Sequence, residues 1–132
     1  MEDDGMPSNK IRILIVDDSD VVRGAIRALL QEEQERFEAY ESGDAEGAIE
    51  KAREIEPDVI LLDMSLPGVS GVESRRFRES FPEAAIILMS AQDPMVLQKL
   101  TELAGLKMCI AKTELSTELL PMLEKIANGL NT

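Results

Sequence analysis

The sequence predicts an α/β domain: an open, doubly wound sheet of five parallel strands in the order 2-1-3-4-5. Three observations carry this. Apolar runs of strand length alternate five times with stretches whose apolar residues recur at helical spacing. The runs at residues 11–16, 59–62 and 84–89 are apolar almost throughout, as strands covered on both faces must be, whereas 36–41 is half polar, as an edge strand is. Right-handed crossovers then put the half-polar second strand outside the first.

Residues 1–9 are polar, contain Gly5 and Pro7, and read as a disordered tail before a domain spanning 10–130. The first strand, residues 11–16, is broken only by Arg12 and ends in Asp17-Asp18-Ser19-Asp20. Val21, Val22, Ala25, Ile26, Leu29 and Leu30 follow at helical spacing, with Ser19 or Asp20 as the cap. The second strand alternates Phe37 and Ala39 against Glu38, Tyr40 and Glu41. Ser42-Gly43-Asp44 turns the chain into a helix whose stripe is Ala45, Ala48, Ile49, Ala52 and Ile55, and Pro57 ends it. The third strand runs into Asp63, and a Pro67-Gly68 bend follows. A carboxylate there is costly to bury and is expected at the sheet edge, facing a crevice.

Residues 72–81 make a short helix with Arg75, Arg76 and Arg78 on a solvated face. The fourth strand, 84–89, ends at Ser90. Asp93 before Pro94 is an N-cap followed by proline at the first helical position, and that helix runs to Ala104 and stops at Gly105. The fifth strand, 106–111, ends at Lys112, and a last helix covers about 117–128 before Gly129, with Pro121 delaying or kinking its first turn. The whole arrangement is the flavodoxin-like one.

Composition bounds the function. A chain of 132 residues with 44% hydrophobic and 30% charged residues is one domain with a real core. Its net charge of −12 argues against nucleic acid or an anionic membrane as a partner. The single Cys excludes an internal disulfide and fits a reducing compartment; with no signal peptide or long apolar run, the expected location is the cytoplasm. The absence of His removes imidazole acid/base catalysis and most transition-metal sites.

The polar residues that end the strands carry the chemistry. Strand one delivers Asp17 and Asp18, strand three Asp63, strand four Ser90 and strand five Lys112. In an open parallel sheet these carboxyl ends form the ligand crevice, where the order reverses between the first and third strands. Three carboxylates at ~5 Å, with an effective dielectric of about 20, repel by on the order of 3 kcal/mol per pair. Either one stays protonated or a divalent cation sits among them. All-oxygen ligation without His points to Mg²⁺, or Mn²⁺ by substitution. Phosphoryl transfer needs little beyond an in-line nucleophile and such charge neutralisation, and a carboxylate can be that nucleophile.

Ile13-Leu14-Ile15-Val16-Asp17-Asp18, Asp63-Met64-Ser65-Leu66-Pro67-Gly68-Val69-Ser70-Gly71, Ser90-Ala91 and Lys112 resemble the receiver domain of two-component response regulators. The likeness covers about residues 10–130. It implies that Asp63 accepts phosphate from a histidine kinase or phosphotransfer protein, and that the chain is a signalling switch rather than an enzyme in its own right. Asp18, Asp63 and the Ser65 backbone carbonyl would ligate Mg²⁺, with Asp17 acting through water. Ser90 would move toward the phosphate, Lys112 would pair with it, and Ser65 and Gln92 stand where the family tunes phosphate lifetime.

Three departures stand out. Cys109 occupies the position where the family usually has Tyr or Phe, Thr113 follows the lysine where many members have Pro, and Pro121 falls in the final helix. Cys109 reads as a small core residue, ahead of a redox sensor, and puts the usual aromatic switching in doubt. No output domain follows within the sequence, so a complete chain would act alone by binding a protein partner, through the region from Asp93 to Asn128. Two rival chemistries fit less well. A haloacid-dehalogenase-like phosphatase would share the strand-end Asp, Ser and Lys but lacks its acidic pair after Lys112, and a flavin-binding flavodoxin lacks its phosphate loop after strand one. The alternative kept open is an interaction module on the same fold that no longer depends on phosphorylation.

Overall fold

The structure is a computed structural model and describes residues 10–66 and 71–130. The expected tail at 1–9 and the Pro67-Gly68 bend lie outside the described residues. Five parallel strands, β1 (Ile11–Val16), β2 (Phe37–Ser42), β3 (Val59–Asp63), β4 (Ala85–Ser90) and β5 (Met108–Ala111), pair in the order β2-β1-β3-β4-β5. Helices α1 (Asp20–Gln31), α2 (Ala45–Ile55), α3 (Gly71–Ser80), α4 (Pro94–Leu103) and α5 (Leu115–Leu130) alternate with them.

The alternation of side chains along the strands splits the core into two layers. Leu14, Val16, Ile60, Leu62, Ile86 and Leu88 meet Ala48, Ile49 and Ala52 of α2, Phe77 of α3 and Leu97 of α4. Ile13, Ile15, Val59, Leu61, Ile87 and Met89 meet Ile26 and Leu30 of α1 and Leu115, Leu119 and Leu123 of α5. Helices therefore cover both faces, which is why the central strands carry almost no polar residues. The edge strand obeys the same rule: Phe37 and Ala39 pack toward α1 and α5, and Tyr40 toward α2. Tyr40 is thus half-buried on the second face rather than turned to solvent.

Local signals set most boundaries. The Ser19 hydroxyl accepts from the Val22 N–H and starts α1, Asp44 does the same for Gly47 in α2, and Asp93 for Met95 in α4 with Pro94 behind it. Gly105 turns the chain out of α4 at φ +77°. Arg75, Arg76 and Arg78 are exposed, as expected, and Arg78 donates to the Gly105 carbonyl at 2.6 Å.

The C-terminal end differs most from expectation. β5 begins at Met108, because residues 104–107 are spent leaving α4. A 3₁₀ turn, Lys112–Glu114, then leads directly into α5, which starts at Leu115 and continues through Gly129. Pro121 neither delays the start nor occupies the first turn. It lies on the exposed side of α5, where it can offer no N–H to the carbonyl of Thr117, itself an exposed residue. Among the described residues no helix is long and apolar enough to cross a membrane.

Candidate phosphoacceptor site

Parallel pairing brings four strand ends to one rim. β1 and β3 run in register from Ile13 opposite Val59 to Val16 opposite Leu62, so Asp17 and Asp63 emerge side by side. On the other side Asp63 stands opposite Met89 and Ser90 opposite Ala111, which places Ser90 and Lys112 at the same end. The Met64 N–H donates to the Met89 carbonyl at 2.8 Å and continues the β3–β4 ladder beyond Asp63.

Carboxylate oxygens of Asp17, Asp18 and Asp63 lie within 4.8 Å of one another. Asp17 is 0% exposed and Asp63 1%, whereas Asp18 is open to solvent. The expectation of a crevice-facing Asp63 therefore needs correction: it is buried at the strand end, and Asp18 presents the open side. Burial is tolerated because partners are in place. Lys112 Nζ sits 2.7 Å from Asp17 Oδ2 and 3.3 Å from Asp63 Oδ2. Asp17 Oδ1 accepts from the Ser19 N–H at 2.9 Å. Asp63 Oδ1 accepts from both the Ser65 N–H at 3.0 Å and the Ser65 hydroxyl at 2.8 Å. Burial pulls the Lys112 ammonium toward a lower pKa, but its bonds and attraction to Asp17 and Asp63 outweigh this, and the net direction is up. It stays protonated at neutral pH.

Ser90 is 3% exposed, and its Oγ accepts from the Gln92 N–H at 3.0 Å, leaving the hydroxyl proton to donate elsewhere. Cys109 is half-buried on β5, its Sγ 3.5 Å from Gln98 Oε1 of α4, so it fills part of the β5–α4 contact. The sequence-predicted residues Asp17, Asp18, Asp63, Ser65, Ser90 and Lys112 thus share one end of the sheet. Two features escaped sequence reasoning. The Ser65 side chain bonds the Asp63 carboxylate directly, for which an Asp-x-Ser spacing at a strand end was the available signal. The Arg23 guanidinium donates to the Asp17 carbonyl at 2.5 Å, and no local pattern announces that contact.

The donor set suits a hard divalent cation. It is all oxygen, and three carboxylates against one ammonium leave two negative charges uncompensated. Both oxygens of Asp17 and both of Asp63 are already engaged, so exposed Asp18 is the carboxylate most open to meeting an ion directly. A separate cleft of about 470 Å³, between Pro57 and Phe81-Pro82, lies at the opposite end of the sheet and shares no residue with this rim.

Residues 13–124 match the response regulator receiver domain family. Among curated proteins, the chain is 38% identical over 87 residues to the transcriptional regulatory protein DegU of Brevibacillus brevis, covering 64% of this chain and 36% of that protein. It is 28% identical over 121 residues to MctR of Rhizobium johnstonii, covering 91% of this chain and 56% of that protein. The chain therefore spans between about a third and somewhat over half of these relatives. Among solved structures, a two-component response regulator of the LuxR family from Aurantimonas superposes with TM-score 0.77 at 28% identity, covering 91% of this chain and 86% of that one. The chemotaxis protein CheY4 of Vibrio cholerae, at 22% identity, shares the fold with TM-score 0.76 and covers 89% of this chain and 98% of that one.

Proposed function

Because the chain belongs to the response regulator receiver domain family, we propose that Asp63 takes a phosphoryl group from a histidine kinase or phosphotransfer protein and that the modified domain alters its binding to a partner. The observation that carries this reading is the ion pair of Lys112 with two buried carboxylates, Asp17 and Asp63, at the reversal point of the sheet.

An Asp63 carboxylate oxygen attacks the phosphorus of a phosphohistidine. The O–P bond forms as the N–P bond breaks, and the imidazole leaves with the electron pair and takes a proton from water. Lys112, already beside Asp63, would pair with an incoming phosphoryl oxygen, and the Ser90 hydroxyl, at the same end of the sheet, would donate to another. The Ser65 hydroxyl and N–H hold Asp63 Oδ1, and Oδ2, which faces Lys112, is the oxygen proposed to attack. Asp18 and Asp63, with the Ser65 carbonyl and with Asp17 through water, would hold Mg²⁺, which when bound supplies charge neutralisation for the phosphoryl oxygens.

Output through the region from Asp93 to Asn128 is supported by Met95, 82% exposed, and Leu103, 68% exposed, on α4. With a net charge of −12, the domain itself is proposed to signal through protein contact and not to touch nucleic acid. The relatives named transcriptional regulatory proteins are longer than this chain, so what a whole protein does with the signal belongs to the same proposal. The test is incubation with acetyl phosphate or a phosphoramidate and Mg²⁺. Wild type should gain one acid-labile phosphoryl group and Asp63→Asn none. Equal labelling of the two proteins would overturn the assignment of Asp63. Capture of partners with and without donor tests the output, and unchanged capture by labelled protein would separate binding from phosphorylation.

A further inference from the structure

The carboxylate rim depends on a residue outside it. Arg23, in the second turn of α1, has a side chain only 16% exposed, and its guanidinium reaches three elements at once. Nη1 donates to the Asp17 carbonyl at 2.5 Å, Nε to Glu41 Oε1 on β2 at 3.0 Å, and Nη2 to Asp20 at the start of α1. Glu41 is itself bridged by Arg27, which is more exposed. With this contact every polar atom of Asp17 is held. Its N–H donates to the Ser42 carbonyl at 3.1 Å, Oδ1 accepts from Ser19, and Oδ2 pairs with Lys112. Among these, only the Arg23 bond fixes the peptide group that joins Asp17 to Asp18.

We infer that Arg23 is a positioning residue for the cation site, acting through the Asp17–Asp18 peptide; this rests on the phosphoacceptor reading above. Charge and geometry make opposite forecasts for its removal. A guanidinium bonded to the Asp17 carbonyl opposes a nearby second cation by its field, so by charge alone its loss tightens divalent-ion binding. If Arg23 instead holds Asp18 in a ligating position, its loss weakens binding, by about 10–100-fold as for other groups that orient metal ligands.

The experiment measures Mn²⁺ binding by electron paramagnetic resonance and Mg²⁺ binding by calorimetry on the full chain, for wild type, Arg23→Ala, Arg23→Lys and Arg27→Ala, with folding checked by circular dichroism. Arg23→Ala should weaken both ions about 10–100-fold. Arg23→Lys keeps the charge but cannot fork to three acceptors, and should fall in between. Arg27→Ala, which also loses a Glu41 contact but touches no part of the Asp17 loop, should bind as wild type does. Binding by folded Arg23→Ala as tight as wild type, or tighter, overturns the inference, and so does an equal loss in Arg27→Ala. If Arg23→Ala fails to fold, Arg23→Lys decides: unchanged affinity overturns the inference and reduced affinity supports it. A wild type that binds neither ion and takes up no phosphoryl group would instead defeat the phosphoacceptor reading, and this inference with it.

Discussion

Replacing Lys112 by methionine keeps an unbranched side chain of similar length and removes the one cation that, among the described residues, pairs with both Asp17 and Asp63. At an effective dielectric of about 20, the attractions at 2.7 Å and 3.3 Å amount to about 6 and about 5 kcal/mol before desolvation is counted. The variant loses both attractions while the repulsion among carboxylates within 4.8 Å, about 3 kcal/mol per pair on the same scale, remains. Desolvating the ammonium offsets part of the loss. Truncating one partner of a buried ion pair costs about 3–5 kcal/mol net, a large share of a domain's total of about 5–15 kcal/mol. Urea unfolding followed by circular dichroism in chelator-treated buffer at pH 7.5 should therefore place the Lys112→Met midpoint roughly 2 M below wild type. Mg²⁺ should then stabilise the variant more than wild type, because carboxylates that have lost their own ammonium bind the ion more tightly. A loss under about 1 kcal/mol without cations would refute the account of why these acids can be buried. A larger Mg²⁺ effect on wild type than on Lys112→Met would refute the shared-charge picture.

Two further expectations concern the frame. Tyr40 is the one tyrosine in the chain, so its ionisation can be followed by ultraviolet absorbance. Burial first, then its hydrogen bond to Glu38 at 3.2 Å, raises its pKa above 10.0. Its midpoint should fall back toward the ordinary value in Glu38→Gln, and an unchanged midpoint would show that the bond plays no part. The native state thus resists deprotonation at both Tyr40 and Lys112, so the stability tied to each is intact below its unfolded pKa and is lost as pH rises through the folded one. Gly105→Ala should cost about 1–2 kcal/mol, because the backbone there is left-handed at φ +77° and the added Cβ would come 2.9 Å from Arg78 Nη1. A melting temperature equal to wild type would show that this turn relaxes freely.

The parts legible in the sequence were those governed by neighbours along the chain. Apolar runs marked the strands, Ser19 or Asp20, the Ser42-Gly43-Asp44 turn and Asp93-Pro94 marked helix starts, and the residue after each run marked the rim, because strand ends in a parallel sheet point one way. The misses arose where two local signals competed or where the decisive partner was remote. In the last helix, Pro121 was expected to delay or kink the first turn, yet Leu115, Leu119 and Leu123 recur at four-residue spacing and leave only 9%, 0% and 1% of their surface exposed. The gain from packing that stripe against β5 and α1, in the core layer it shares with them, exceeds the loss of one hydrogen bond at Pro121. At the site, sequence order could place Asp63 at a strand end but not bury it, because burial depends on Lys112 and Ser65 arriving from β5 and the following loop. Arg23 is the extreme case: on a helical wheel it is one more polar residue of α1, and its role exists only once β2 brings Glu41 alongside. The residues proposed to do the chemistry could be placed at one rim because topology alone delivers them there. Those that hold them in place were not, because they depend on side chains meeting across elements after the sheet has formed.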